Sequence, residues 1–299
     1  MNFGFFGFPA KIPSDPSLFA QYDSSGTYVI PKGCKLLMVF ATQGGAGGLG
    51  GLTGNSGVAV GGSQGGSGGT PAFQLIDVDS IGGPGTTLEV TIGPGGAGLV
   101  GQTGGATPGL GGGEGGLVRL SVAGRGDLFV IGWSNEVYVG FTNTGSIGSH
   151  VLSMRVGTSG YGQPPSAGGL TVSDFRHTGG ASGGGLSAAN ATAAGGNITK
   201  QATNISHFCS GRVANTQSYV VGGAAGGGAG SSSTQTINGL FSPGIPGAGG
   251  GSSTTGNAGA GGAGYRGAGG GGGGAARTGF TGGNGARGGD AYMAILAMR

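Results

Sequence analysis

Several short patterns in this chain have the residue types and spacing to do chemistry. Gly45-x-Gly47-x-x-Gly50 follows the apolar run Leu36–Ala41 and spells the turn that cradles a dinucleotide pyrophosphate. That chemistry needs a helix to open at the last glycine, so that its first amides face the phosphates. Gly51-Leu52-Thr53-Gly54-Asn55-Ser56-Gly57 follows instead, a run that will not make a helix. With 83 glycines in the chain, such a spelling arises by chance. His207 and Cys209 stand two apart and could share a metal, but no second pair of ligands accompanies them. Arg125-Gly126-Asp127 spells an integrin-type ligand, yet a tight turn between two strands also favours Gly and Asp. Asn190, Asn197 and Asn204 each open an Asn-x-Ser/Thr sequon, a glycan acceptor in a secreted eukaryotic protein. Met1–Pro9 does not have the charge or the length of a signal peptide, so the sequons read as ordinary polar loop.

The remaining chemistry is sparse. The phosphate-binding Gly-x-x-x-x-Gly-Lys-Ser/Thr loop, His-Glu-x-x-His and Cys-x-x-Cys do not occur. A glycan-cleaving enzyme needs two clustered carboxylates. Asp23, Asp77, Asp79, Glu89, Glu114, Asp127, Glu136, Asp174 and Asp290 are scattered. The expectation is therefore a non-enzymatic protein without a cofactor or a bound metal. A net charge of +3 with no Lys/Arg cluster argues against nucleic acid. No run approaches the roughly 20 apolar residues of a membrane span. Cys34 reads as a small apolar residue beside the first long strand; a bridge to Cys209 is the alternative.

The elements that would position any such residue are dominated by glycine. Charged residues make up only 8% of the chain, and there are 12 prolines to set against the 83 glycines. Glycine has no side chain to bury and loses the most backbone freedom on folding. The chain is then either disordered or held by dense main-chain hydrogen bonding. A collagen-like reading fails, because Gly-Gly pairs and the run Gly269–Gly274 break the strict period of three. A flexible linker suits Ala248–Gly262 taken alone, but not a chain with strand-like runs between its tracts. The remaining architecture is a bundle of polyglycine-II helices, similar to polyproline II, packed closely enough to exchange N–H···O=C bonds.

The expected fold class is mostly β: antiparallel, sandwich-like strands combined with that bundle, and little or no α-helix. Strands are predicted at Tyr28–Ile30, Leu36–Ala41, Phe73–Asp79, Thr86–Ile92, Leu117–Val122, Leu128–Ile131, Glu136–Phe141, Val151–Val156 and Ala291–Met298. The chain divides into an extended segment (1–25), a first glycine-rich β region (26–132), a less glycine-rich insert (133–221) and a glycine-rich bundle with a closing strand (222–299). Phe3, Phe5, Phe6 and Phe8 crowd the first segment, and Pro9, Pro13 and Pro16 keep it extended. Those phenylalanines either fold back on the protein's own core or dock into a partner protein.

Residues 26–41, G-T-Y-V-I-P-K-G-C-K-L-L-M-V-F-A, open into a glycine flood. That opening, with G-P-G-T-T-L-E-V-T-I-G-P-G-G-A-G from Gly83 and G-G-D-A-Y-M-A-I-L-A from Gly288, resembles the glycine-rich domain of bacteriophage tail-fibre and adhesin proteins. The similarity covers about 26–131 and 222–299. The resemblance implies a virion structural protein, a tail fibre or tip adhesin whose loops touch a host surface receptor, either a glycan or an outer-membrane protein. It also implies attachment to other virion proteins and a homo-oligomer, since fibres of this kind are usually trimers. Trp133, Tyr161, Tyr265 and Phe280 are the aromatic residues suited to stacking on sugars or filling a receptor pocket. The alternative is a head decoration or tail adaptor protein, anchored by its N-terminus.

Overall fold

The computed structural model describes residues 17–104, 112–132, 137–139, 152–155, 179–199, 218–233 and 244–299. Its strands begin with β1 (Phe19–Tyr22), β2 (Gly26–Val29), β3 (Leu36–Thr42), β4 (Thr53–Gly54), β5 (Pro71–Asp77), β6 (Thr87–Ile92) and β7 (Val118–Val122). They continue with β8 (Gly126–Ile131), β9 (Val137–Val139), β10 (Leu152–Arg155), β11 (Ile198–Thr199), β12 (Ser218–Val220), β13 (Ala276–Arg277) and β14 (Tyr292–Met298). Among the described residues the helical content is one 3-10 turn, Asp79–Ile81.

Two five-stranded antiparallel sheets carry the conventional core. One has the order β1-β14-β3-β5-β10, the other β2-β6-β7-β8-β9. The unbroken apolar run of β3 lies between β14 and β5. Leu37, Val39 and Ala41 of β3, with Met293 and Ile295 of β14, join Leu88, Val90, Leu120 and Phe129 of the second sheet in one buried cluster. Met38, Phe40, Tyr292 and Leu296 form a second buried cluster on the opposite face of the first sheet. Burial on both faces explains why β3 shows no polar alternation. Each large side chain so buried contributes about 1.5–3 kcal/mol.

Between strands the chain leaves the sheets and comes back. It runs out from β3 along 43–52 and returns along 60–70 into β5. It runs out from β6 along 93–102 and returns along 112–117 into β7. The last excursion goes out along 267–276 and back along 282–290 into β14. Residues 179–186 with 193–197, 221–226 with 228–233, and 244–253 with 258–264 make three more such pairs.

These passes are joined through their main chains with a period of three. Gly45, Gly48 and Gly51 donate to the carbonyls of Gly289, Ala286 and Gly283. Gly44 and Gly47 donate to Gly116 and Gly113, and Ala46 and Leu49 to Ser67 and Gln64. Every third amide thus returns to the same neighbour. Each such bond nets about 0.5–1.5 kcal/mol, the scale needed to offset the roughly 1 kcal/mol entropic penalty of a glycine.

Pass 267–276 is enclosed on every side. It exchanges bonds with 46–52, 63–69, 181–184, 247–253, 259–262 and 283–289. The longest glycine run of the chain, Gly269–Gly274, falls at this centre. A Cβ on Gly269 or Gly272 would collide with a carbonyl of Gly66 or Ser63. On Gly270 or Gly273 it would meet Ala286 or Gly283, and on Gly271 or Gly274 it would meet Ala248 or Gly251. Outer passes carry side chains at every third position, where a face is open. Ala46, Leu49 and Leu52 are half-buried, and Ala97, Val100, Asn284 and Arg287 are exposed. Some of these side chains bond the next pass: Asn284 Oδ1 accepts from the Gly101 amide at 2.9 Å, and Asp290 Oδ1 from the Gly95 amide at 2.7 Å.

Two boundaries differ from the sequence reading. Residues 1–25 were expected to be an extended docking segment, but Phe19–Tyr22 is an edge strand paired with Met293–Leu296. Four residues are too few for alternation to show. Within the expected insert 133–221, residues 179–197 lie among the glycine passes, because Gly180 and Gly183 donate to Gly66 and Ser63. Cys34 is a free, buried thiol whose Sγ–H donates to the Leu36 carbonyl at 3.4 Å, and burial raises its pKa. Cys209 lies outside the described residues.

Candidate functional site

The direction of each pass follows from its register. Gly270, Gly273 and Ala276 donate to Ala46, Leu49 and Leu52, so 267–276 runs parallel to 43–52. Pass 244–253 is parallel to 266–275, and 179–186 antiparallel to 60–66. The turns 53–59, 187–192, 224–228, 254–257 and 277–281 therefore gather at the end of the passes remote from the two sheets.

Arg277 ties three of these loops together. It is 6% exposed, and β13 pairs with β4 in parallel just beneath it. Its Nη1 donates to the carbonyls of Asn55 at 2.7 Å and Val58 at 2.6 Å. Its Nη2 donates to the Ser187 carbonyl at 2.6 Å. Hydrogen bonds from a charged donor are worth about 1.5–3 kcal/mol each, so one guanidinium can fix two neighbouring loops to its own. Short polar side chains complete the links. Thr278 Oγ1 donates to Asn55 Oδ1 at 2.8 Å, Asn190 Nδ2 to Ser56 Oγ at 3.1 Å, and the Thr281 amide to Asn257 Oδ1 at 2.9 Å. Asn190 holds a left-handed backbone, φ 63°, which asparagine tolerates well.

Charge is divided between the two ends. The five loops contain Asn, Ser, Thr, Gly, Ala, Val58 and Phe280, and their one ionisable side chain is the buried Arg277. Asp23, Lys35, Asp79, Arg119, Asp127 and Arg266 stand at the sheet end, where they form ion pairs.

The sequence-based candidates separate accordingly. Phe280 is half-buried in loop 277–281, whereas Tyr265 lies at the opposite end, in the turn between 258–264 and 267–276. Trp133, Tyr161, Phe3, Phe5, Phe6 and Phe8 lie outside the described residues, as do His207 and Cys209. Of the sequons, Asn190 is exposed in a loop and Asn197 Oδ1 accepts from the Gly222 amide at 2.7 Å. The Arg125-Gly126-Asp127 turn is tied inward, with Arg125 Nη1 on the Ile81 carbonyl at 3.1 Å. Gly45 and Gly47, the first glycines of the dinucleotide spelling, use their amides on Gly289 and Gly113.

Beside Tyr265 is a cleft of ≈ 190 Å³ that brings two carboxylates, Asp23 and Asp290, to one concave surface. Both are engaged. Arg266 holds Asp23 through Nε at 2.6 Å and Nη2 at 2.7 Å, while its guanidinium lies 4.3 Å from the Tyr292 ring centre. Burial opposes the Arg266 charge, but Asp23 and the neighbouring tyrosines outweigh it, and its pKa rises. Asp290 pairs with Arg287 and accepts from Gly95. Gly61–Gly65 spells Gly-x-Ser-x-Gly, the pattern of an exposed serine nucleophile, but Ser63 is buried and donates to the Gly50 carbonyl at 2.5 Å.

Arg277, Asn55 and Asn257 were not singled out from sequence, and Asn190 only as a sequon. The one available signal was that Arg277 is the sole charge between Gly267 and Ala286. Comparison with protein-family models and with curated proteins finds no match to this chain.

Proposed function

We propose that this chain is a non-enzymatic bacteriophage virion protein, a tail fibre or tip adhesin that attaches to a host surface through its five clustered loops. In this reading the passes are polyglycine-II helices. That helix has three residues per turn, which accounts for every third amide meeting the same neighbour. The observation that carries the function is the gathering of loops 53–59, 187–192, 224–228, 254–257 and 277–281 at one end, with 53–59, 187–192, 254–257 and 277–281 bound to one another through Arg277 and paired Asn, Ser and Thr side chains. A frame fixed through its main chain holds such loops still, and their sequence can change without disturbing it.

Phe3, Phe5, Phe6 and Phe8 then anchor the chain to other virion proteins, and the assembled particle carries it as a homo-oligomer. Two measurements test the reading together: adsorption of the purified, fluorescently labelled protein to a panel of bacterial strains, and antibody labelling of intact virions. Saturable binding to particular strains with label at the tail tip is expected. Label on the capsid and no binding to any strain would replace it with a head decoration protein.

A further inference from the structure

We infer that the loop surface recognises an uncharged glycan, through hydroxyl and amide hydrogen bonds and without ion pairing. This inference rests on the attachment reading and narrows it to one partner chemistry. Its first support is the division of charge. No ionised group is exposed on the five loops, and their single cation is turned inward onto the carbonyls of Asn55, Val58 and Ser187. An anionic surface polymer would find no counter-charge there. Electrostatic steering, which raises association rates for charged partners, is not built into this face.

The second support is which side chains are exposed. Asn55, Ser56, Asn190, Thr255, Asn257 and Thr278 all are. Amides and hydroxyls both donate and accept, as sugar hydroxyls require. Protein–protein contacts depend instead on buried Trp, Tyr and Arg anchors. The described loops contain no Trp or Tyr, their arginine is buried, and Phe280 is half-buried. The third support is that the donors and acceptors are held in place before binding. The pairs Asn55–Thr278, Ser56–Asn190 and Asn257–Thr281 cross between loops, so little conformational freedom remains to be lost on binding.

The test uses whole cells of a strain to which the purified protein adsorbs. Raising NaCl from about 0.05 M to about 0.5 M should change the apparent Kd less than about twofold, because screening acts on charges. Mild periodate treatment of the cells, which cleaves vicinal diols, should abolish binding; treatment with proteinase K should leave it intact. Asn190→Ala and Thr255→Ala, both exposed, should each weaken binding about fivefold by losing one neutral hydrogen bond. Lys35→Gln, at the sheet end, should leave binding unchanged. Binding that survives periodate but not protease, or that high salt removes, would overturn the inference and leave the attachment reading standing. No binding to any strain would overturn both.

Discussion

The two halves of this molecule solve the same problem with opposite materials. In the paired sheets, stability comes from side chains: Leu37, Leu88, Leu120 and Phe129 are fully buried, and the backbone serves to align them. In the glycine passes the backbone is both frame and core, and the interior of 267–276 is carbonyls and amides. The comparison shows that close packing does not require bulk. It requires that no atom intrude where main chains already meet. A substitution therefore has opposite meaning in the two regions: removing volume harms the sheets, and adding volume harms the passes.

The largest effect should come from adding volume at the centre. Gly272→Leu forces a side chain against the Ser63 carbonyl and should cost more than about 4 kcal/mol, well beyond ordinary surface changes. Hydrogen exchange would show it as fast amides along 244–253 and 267–276; a variant with protected amides would refute close approach there. Phe129→Ala should cost about 3–5 kcal/mol in chemical denaturation by leaving a cavity between the sheets. If the passes keep slow exchange at a denaturant concentration where the sheets of that variant have opened, the two halves fold as separate units.

Arg277→Met should cost about 2–3 kcal/mol, since three loop carbonyls lose a charged donor. Its effect should appear as faster exchange in 53–59 and 187–192, with the sheet amides unmoved. Leu49→Ala, on the open face of an outer pass, should cost no more than about 1 kcal/mol, because that residue is half-buried. A loss as large as that at Gly272 would erase the distinction between inner and outer passes.

The smallest effect is a pH dependence confined to the sheet side. Burial raises the Cys34 pKa above its ordinary 9.0. Above that pH the unfolded chain loses the thiol proton while the folded chain keeps it, so stability should fall as pH rises towards the folded value. The same titration of Cys34→Ala should lack that component. Identical alkaline slopes in the two proteins would show that the thiol is not shielded.

What could be read in the sequence follows the same division. Leu36–Ala41 and Thr86–Ile92 announced strands within a residue of those observed, because side-chain pattern is a direct record of burial. The hairpin expected of Leu117–Val122 and Leu128–Ile131 around Ala123–Asp127 is present as Val118–Val122 paired with Gly126–Ile131, its turn shortened to Ala123–Arg125. Phe19–Tyr22 was too short to show a pattern. Among the passes, a glycine carries no mark of which neighbour it faces, so the place of 179–197 could not be read. The positions of Tyr265 and Phe280 were hidden for a related reason. One outward pass separates them, and a sequence that names no direction cannot tell that they lie at opposite ends. Nothing in the sequence marks Arg277 as buried, and only the meeting of 53–59 with 187–192 shows why it is.

The return of every third amide to the same neighbour also limits how the chain can change length. Deleting one residue from a pass would rotate everything beyond it by a third of a turn, driving Leu49 or Arg287 inward and leaving glycines outward. Lengthening or shortening of the frame should therefore come in steps of three codons, matched on the outgoing and returning legs. The turns beyond Leu52, Leu186 and Ala276 obey no such arithmetic, and a change of single residues there need only keep the Arg277 bonds to Asn55, Val58 and Ser187.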